Sequence, residues 1–131
     1  MTTPNEAAEA IYARFEANIG DTPFTYENED LDAPDGWVRL SIRHNGRRQE
    51  TMGRATNRRF ESRGSIFAQC YGRTNLGRQG VDALALTVAN IFEAQSFNGV
   101  NTFEATPREQ PPDGKWFWIE VEIVFAYYER K

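Results

Sequence analysis

Trp37-Val38-Arg39-Leu40-Ser41-Ile42-Arg43 alternates strictly, with Val38, Leu40 and Ile42 on one face and Arg39, Ser41 and Arg43 on the other. A period of two with one apolar face is the pattern of a half-buried strand. The same alternation governs residues 115–128, where Phe117, Ile119, Val121, Ile123, Phe125 and Tyr127 share a face opposite Glu120 and Glu122. Residues 59–71 read as a third strand, with Ile66, Ala68 and Cys70 opposite Phe67, Gln69 and Tyr71. Phe24-Thr25-Tyr26 and residues 100–106 add two shorter ones.

Two helices punctuate these strands. Thr3-Pro4-Asn5-Glu6 supplies an N-cap, a proline at the first helical position and a glutamate three residues after the cap. Ala8, Ile11, Phe15 and Ile19 follow at helical spacing, and Gly20 can end the run. Val81, Leu84, Ala85, Val88, Ile91 and Phe92 make the second and cleaner stripe, which Asn98-Gly99 is expected to stop. Residues 27–35, 72–80 and 108–114 read as connections. The expected fold is therefore α+β, in the order α-β-β-β-α-β-β. It is a mostly antiparallel sheet of about five strands with both helices packed on one face.

Composition fits a single domain over residues 1–131. The chain of 15.0 kDa is 40% hydrophobic and 26% charged, within the range of a globule that folds without disulfides. No apolar run reaches the length of a membrane span, and the acid-bearing start does not read as a signal peptide.

Few residues offer chemistry. Cys70 and His44 are the sole cysteine and histidine, so neither a disulfide nor a cysteine metal cluster is expected, and the one thiol dyad to weigh is Cys70–His44. His44 stands at the entrance to a polar segment and reads as a surface histidine; Cys70 falls on an apolar strand face and reads as a small hydrophobe. Glu120 and Glu122 share a strand face, where paired carboxylates can do acid–base work but more often form the wetted side of a sheet. Gly72, Gly77 and Gly80 match no phosphate-binding fingerprint. The reading is a non-enzyme with no catalytic residues, metal or cofactor.

Charge is the informative property. Residues 1–36 carry a balance of −8, residues 43–78 a balance of +7, and the whole chain −4. Thirteen of the fifteen bases are arginine. Guanidinium forks bind carboxylates and phosphates bidentately, which favours a recognition role, although a codon bias gives the same count. Between two good strands, residues 43–59 hold Arg43, Arg47, Arg48, Arg54, Arg58 and Arg59 against Glu50, with Met52 the one large apolar side chain. Continued as a hairpin, these arms of about eight residues reach ~26 Å, too far to fold over the core without burying guanidinium groups. A projecting arginine-rich β-hairpin arm is the expectation; a solvated loop is the bland alternative. Glu27, Glu29, Asp30, Asp32 and Asp35 form a complementary acidic segment elsewhere in the chain. Patches that do not coincide favour a heterologous, head-to-tail contact between copies, closing into a ring or running on as a filament. Nucleic acid is the rival partner for the arm, opposed by an isoelectric point near 5.1.

Several stretches resemble the small tail-terminator (tail-completion) proteins of long-tailed bacteriophages and phage-like gene-transfer particles. They are Ala10-Ile11-Tyr12-Ala13-Arg14-Phe15, Thr25-Tyr26-Glu27-Asn28-Glu29, Trp37-Val38-Arg39-Leu40, Gly64-Ser65-Ile66-Phe67-Ala68-Gln69-Cys70-Tyr71 and Trp116-Phe117-Trp118-Ile119-Glu120-Val121. The likeness is one of element order and hydrophobic texture over nearly the whole length, and residues 44–58 depart from it in their arginine content. It implies a virion protein of the tail neck, assembled in the bacterial host cytoplasm as a hexameric ring. That ring would cap the head-proximal end of the tail tube, stop tube growth, meet a head-side connector or stopper, and let DNA pass unbound. Another neck component, connector or stopper, shares this assembly chemistry, and a nucleic-acid-binding module is the reading from a different class.

Overall fold

The computed structural model describes residues 3–20, 22–26, 36–49, 52, 58–73, 79–111 and 116–130. In chain order they form α1 (Pro4–Asn18), β1 (Phe24–Tyr26), β2 (Gly36–Gln49), β3 (Arg59–Arg73), α2 (Gln79–Phe92), β4 (Ser96–Phe97), β5 (Val100–Glu109) and β6 (Trp116–Arg130). The strands make one sheet in the order β1-β2-β3-β6-β5-β4.

This corrects the expected architecture. The sheet has six strands rather than about five, is mixed where a mostly antiparallel one was expected, and curls into a half-barrel, so the order α-β-β-β-α-β-β with both helices on one face does not hold. Two local causes account for the strand count and the mixed pairing. β1 pairs parallel to β2, Phe24 with Val38 and Tyr26 with Leu40. A three-residue strand is only ~10 Å long, so the nine residues 27–35 suffice to carry the chain back to its start. The sixth strand comes from Asn98-Gly99. Both residues have positive φ (45° and 85°), the geometry of a two-residue hairpin turn, and they join Ser96–Phe97 to Val100 and Asn101. The helix has already ended at Phe92, so this pair turns a hairpin rather than stopping α2.

α1 starts as its sequence dictates. Thr3 caps it by accepting the Glu6 backbone N–H at 3.3 Å, with Pro4 in the first turn. Ala7, Ala10, Ile11 and Phe15 are buried. Phe15 stacks on Phe92 of α2, and Arg14 Nε donates to the Ile91 carbonyl at 2.7 Å. These residues join Val81, Ala85 and Val88 of α2 and one face of the long strands in a single core. The strand contribution is Val38 and Leu40, Ile66, Ala68 and Cys70, and Ile119 to Tyr127 at alternate positions.

β3 sits between β2 and β6, and its pairing with β6 runs from Arg59↔Arg130 to Arg73↔Trp116 without interruption. Fifteen residues of strand extend roughly 50 Å, whereas helices of fourteen and fifteen residues extend little more than 20 Å. The two helices share this length between them. Val81 of α2 lies at Gly72, and Pro4 of α1 lines a hollow with His44, Arg47, Ser62 and Tyr127, so only the last few residues of the sheet lie beyond the helices. The expected two-stranded arm is in fact three strands wide, because β6 follows β3 to its end. β1 covers only Val38 to Leu40, so among the described residues no strand pairs with the outer side of β2 over residues 42–49.

Where the arm leaves the core, Gly64 lies between Arg43 and Phe125. A Cβ there would stand 2.4 Å from the Arg43 carbonyl oxygen and 2.7 Å from the Phe125 ring, whereas one on Gly46 would meet nothing within 4 Å. Gly64→Ala is expected to destabilise the protein by about 1–3 kcal/mol, and Gly46→Ala by under about 0.5 kcal/mol, in urea denaturation. Equal costs would show that the Phe125 ring does not rest on bare backbone.

Candidate functional site

The candidate site is the end of the sheet at and beyond the start of α1, where Pro4 adjoins Arg47, Ser62 and Tyr127. Across it the register sets Arg47 beside Ser62 and Tyr127, Arg48 beside Glu61 and Tyr128, and Gln49 beside Phe60 and Glu129. A register shift between His44 and Gly46 inserts one extra residue into β2. Beyond it Arg47 shares a face with Phe60, Ser62 and Glu129, while Arg48 shares the other with Glu61, Arg63 and Tyr128.

Each face is tied by its own ion pair. Arg47 Nη1 lies 2.9 Å from Glu129 Oε2 and 3.4 Å from Ser62 Oγ, and its guanidinium covers the Phe60 ring at 4.9 Å. Opposite, Arg63 Nε donates to Glu61 Oε1 at 2.6 Å, and the Tyr128 hydroxyl donates to Glu61 Oε2 at 3.1 Å. Arg59 stacks on Tyr128 at 3.8 Å. Glu61 is 6% exposed, and the Arg63 hydrogen bond holds its carboxyl below the ordinary value of 4.5 against the opposing effect of burial.

The sequence-predicted arginines are thus brought together in part. Arg43, Arg47, Arg48 and Arg58 are exposed, Arg59 is half-buried, and Arg43 lies over Phe67 at 6.0 Å. Arg54 lies outside the described residues, as do Glu27, Glu29, Asp30, Asp32 and Asp35 of the complementary acidic segment. Sequence reasoning missed Glu61, Tyr128 and Glu129, which hold the arginines from β3 and β6. The available signal was the alternation of Phe125 and Tyr127, which Glu129 continues.

The other candidates separate. His44 is exposed, its ring edge-on to Phe125 and Tyr127 at 5.8 Å each. In the sheet register Cys70 pairs with Val38 and Gly64 with His44, six residues apart, which puts the two side chains about 20 Å apart and forms no dyad. Burial pushes the Cys70 thiol up to about 12. Glu122 accepts hydrogen bonds from Arg108 and from Ser65 Oγ, and both partners, Arg108 foremost, keep its carboxyl low and ionised. Among the described residues no group of three acidic, histidine or cysteine side chains could hold a metal. A second band, also unforeseen, stacks Trp37, Tyr71 and Trp118 across β2, β3 and β6 at 4.3 and 5.4 Å.

No family model matches the chain, and a search of curated proteins finds no match. Nine solved chains do match in structure. One is similar over 95% of each chain, with a TM-score of 0.58 at 15% sequence identity. That likeness shows the fold alone.

Two outcomes follow from this chemistry. Because the folded-state pKa values of Glu61 and Glu122 are depressed, their contribution is full above about pH 4.5 and is lost as pH falls below it. Glu61→Gln should therefore lower the melting temperature at pH 7 and flatten its fall below pH 4.5; an unchanged acid limb would show the pair to be idle. Cys70 should resist a thiol reagent at pH 8 until the chain is unfolded, and rapid labelling of native protein would contradict its burial.

Proposed function

We propose that this chain is a structural virion protein of the tail neck. On this reading, copies join head to tail into a ring that caps the head-proximal end of the tail tube and meets the head-side connector. The observation that carries the proposal is the arginine-lined end of the sheet, which is three strands wide past Tyr127 and runs beyond the start of α1. A two-stranded ribbon is marginal alone, but three strands tied by Arg47–Glu129 and by the Tyr128–Glu61 hydrogen bond make a preformed docking element that loses little freedom on binding.

Electrostatics favours a copy of the same chain as the partner. The arm is cationic while the molecule as a whole is anionic, so one copy's arm is drawn to the body of the next. Nucleic acid is less well served. Arg47 and Arg63 already pair with carboxylates, and the acidic remainder repels a phosphate backbone, as suits a lumen through which DNA passes unbound. The hexameric count and the tail-tube and connector contacts come from the family resemblance.

Native mass measurement at about 50 mM salt should give a species near six times 15.0 kDa. At ~0.5 M salt, or with Arg47, Arg48 and Arg54 changed to Gln, smaller species should dominate, because exposed charge pairing is screened. A strict monomer at high concentration, even with tail-tube protein present, would overturn the proposal. Duplex DNA binding with a steep salt slope would favour the nucleic-acid reading instead.

A further inference from the structure

At the end of the sheet away from the arm, α2 and β5 leave an open groove of about 330 Å³. Leu86, Ala89, Pro107 and Ile119 line it, with Asp82 and Glu109 at its rim. Leu86 is 62% exposed, a large apolar side chain on the outer flank of a helix whose other flank is buried. The arm carries the opposite feature. Met52, between Gln49 and Arg58, is 99% exposed and is the one large apolar residue among arginines. Hollow and tip match in character, each apolar and each flanked by charge, carboxylates at the groove and arginines on the arm.

We infer that Met52 at the arm tip of one copy seats in the groove between α2 and β5 of the next copy, with arm arginines alongside Asp82 and Glu109. The inference rests on the self-assembly reading above and names its contact. An unbranched thioether side chain adapts to an open groove better than a branched one. The charges are opposite in sign, arginine on the arm and carboxylate on the rim. Position decides against a contact within one molecule. Ile119 and Glu129 are ten residues apart on β6, about 33 Å, and the arm points away from the groove. Knob and hollow at opposite ends of one strand are satisfied by a second copy, and each copy then offers a further knob.

The strand beside the groove rules out a competing mode of attachment. Gln110 N–H donates to the Trp118 carbonyl, so in β5 the even positions face β6 and Ala105, Pro107 and Glu109 turn their backbone groups outward. Pro107 has no N–H to offer, and Ala105 N–H is already taken by Glu93 Oε2 at 3.0 Å. Addition of a strand is disfavoured there, and side-chain docking is left.

Cysteine pairing tests the contact, because buried Cys70 stays silent. Met52→Cys and Leu86→Cys chains, mixed and oxidised at low salt, should give a disulfide-linked dimer of one chain of each kind. The double variant should give a ladder of linked multimers. Met52→Asp should raise the half-assembly concentration by about tenfold or more while Met52→Leu leaves it near wild type, both with unchanged melting, since the side chain is exposed. If rings form but the mixed pair does not crosslink, or Met52→Asp assembles normally, the groove is not the seat and this inference falls while the ring reading stands. If no assembly occurs at any concentration, the ring reading falls and takes the contact with it.

Discussion

The molecule is governed by a disparity of length. Three neighbouring strands each run more than twice as far as either helix. Although the helices divide that length between them, the hydrophobic core ends at Tyr127 and the last residues of the sheet lie outside it. Over the rest, backbone pairing must be protected by side chains alone. β3 makes this possible because it is paired on both sides, so its donors and acceptors have partners along nearly all of the strand. The side chains of that region do the remainder: Arg47 and Arg59 lie over the Phe60 and Tyr128 rings, and Glu129 and Glu61 meet the charge of Arg47 and Arg63. A guanidinium is suited to this use because its planar face stacks while its edge donates.

The same disparity divides the chemistry of the surface. One end of the sheet is cationic and reaches outward. The other carries a stack of Trp37, Tyr71 and Trp118 on one face, with an acid-rimmed hollow beside α2. The head-to-tail association proposed above would use such unlike ends, and association of that kind closes when the angle between copies divides a full turn.

Much of this was legible in the sequence where a local pattern and a tertiary environment agree. The alternation from Trp37 to Arg43 and from Phe117 to Tyr127 marks strands because burial of one face selects it. The stripe of Val81, Val88 and Phe92 marks a helix for the same reason. The pattern failed where one local signal serves two structures. Asn98-Gly99 ends a helix or turns a hairpin equally well, and only the pairing of Ser96–Phe97 with Val100 and Asn101 decides. Pro107 reads as a break in a strand, yet β5 continues through it because the missing donor faces away from β6. The parallel pairing of Phe24–Tyr26 is invisible in three residues. At the site, the arginines were legible as a cluster, but Glu129 lies eighty-two residues from Arg47 and only sheet register joins them.

Among the described residues no strand covers the outer side of β2 over residues 42–49, which has a bearing on errors of assembly. An uncovered strand without proline invites a second copy to line up against it, and such a mispairing would stall any ordered process. Here that rim carries Arg43, Arg47 and Arg48, so two rims meeting edge-to-edge would set cation against cation. Repulsion of this sort costs nothing in the solitary subunit and acts only on the wrong encounter. The guanidinium groups would then serve twice, as attractants toward an acidic neighbour and as sentries against their own kind.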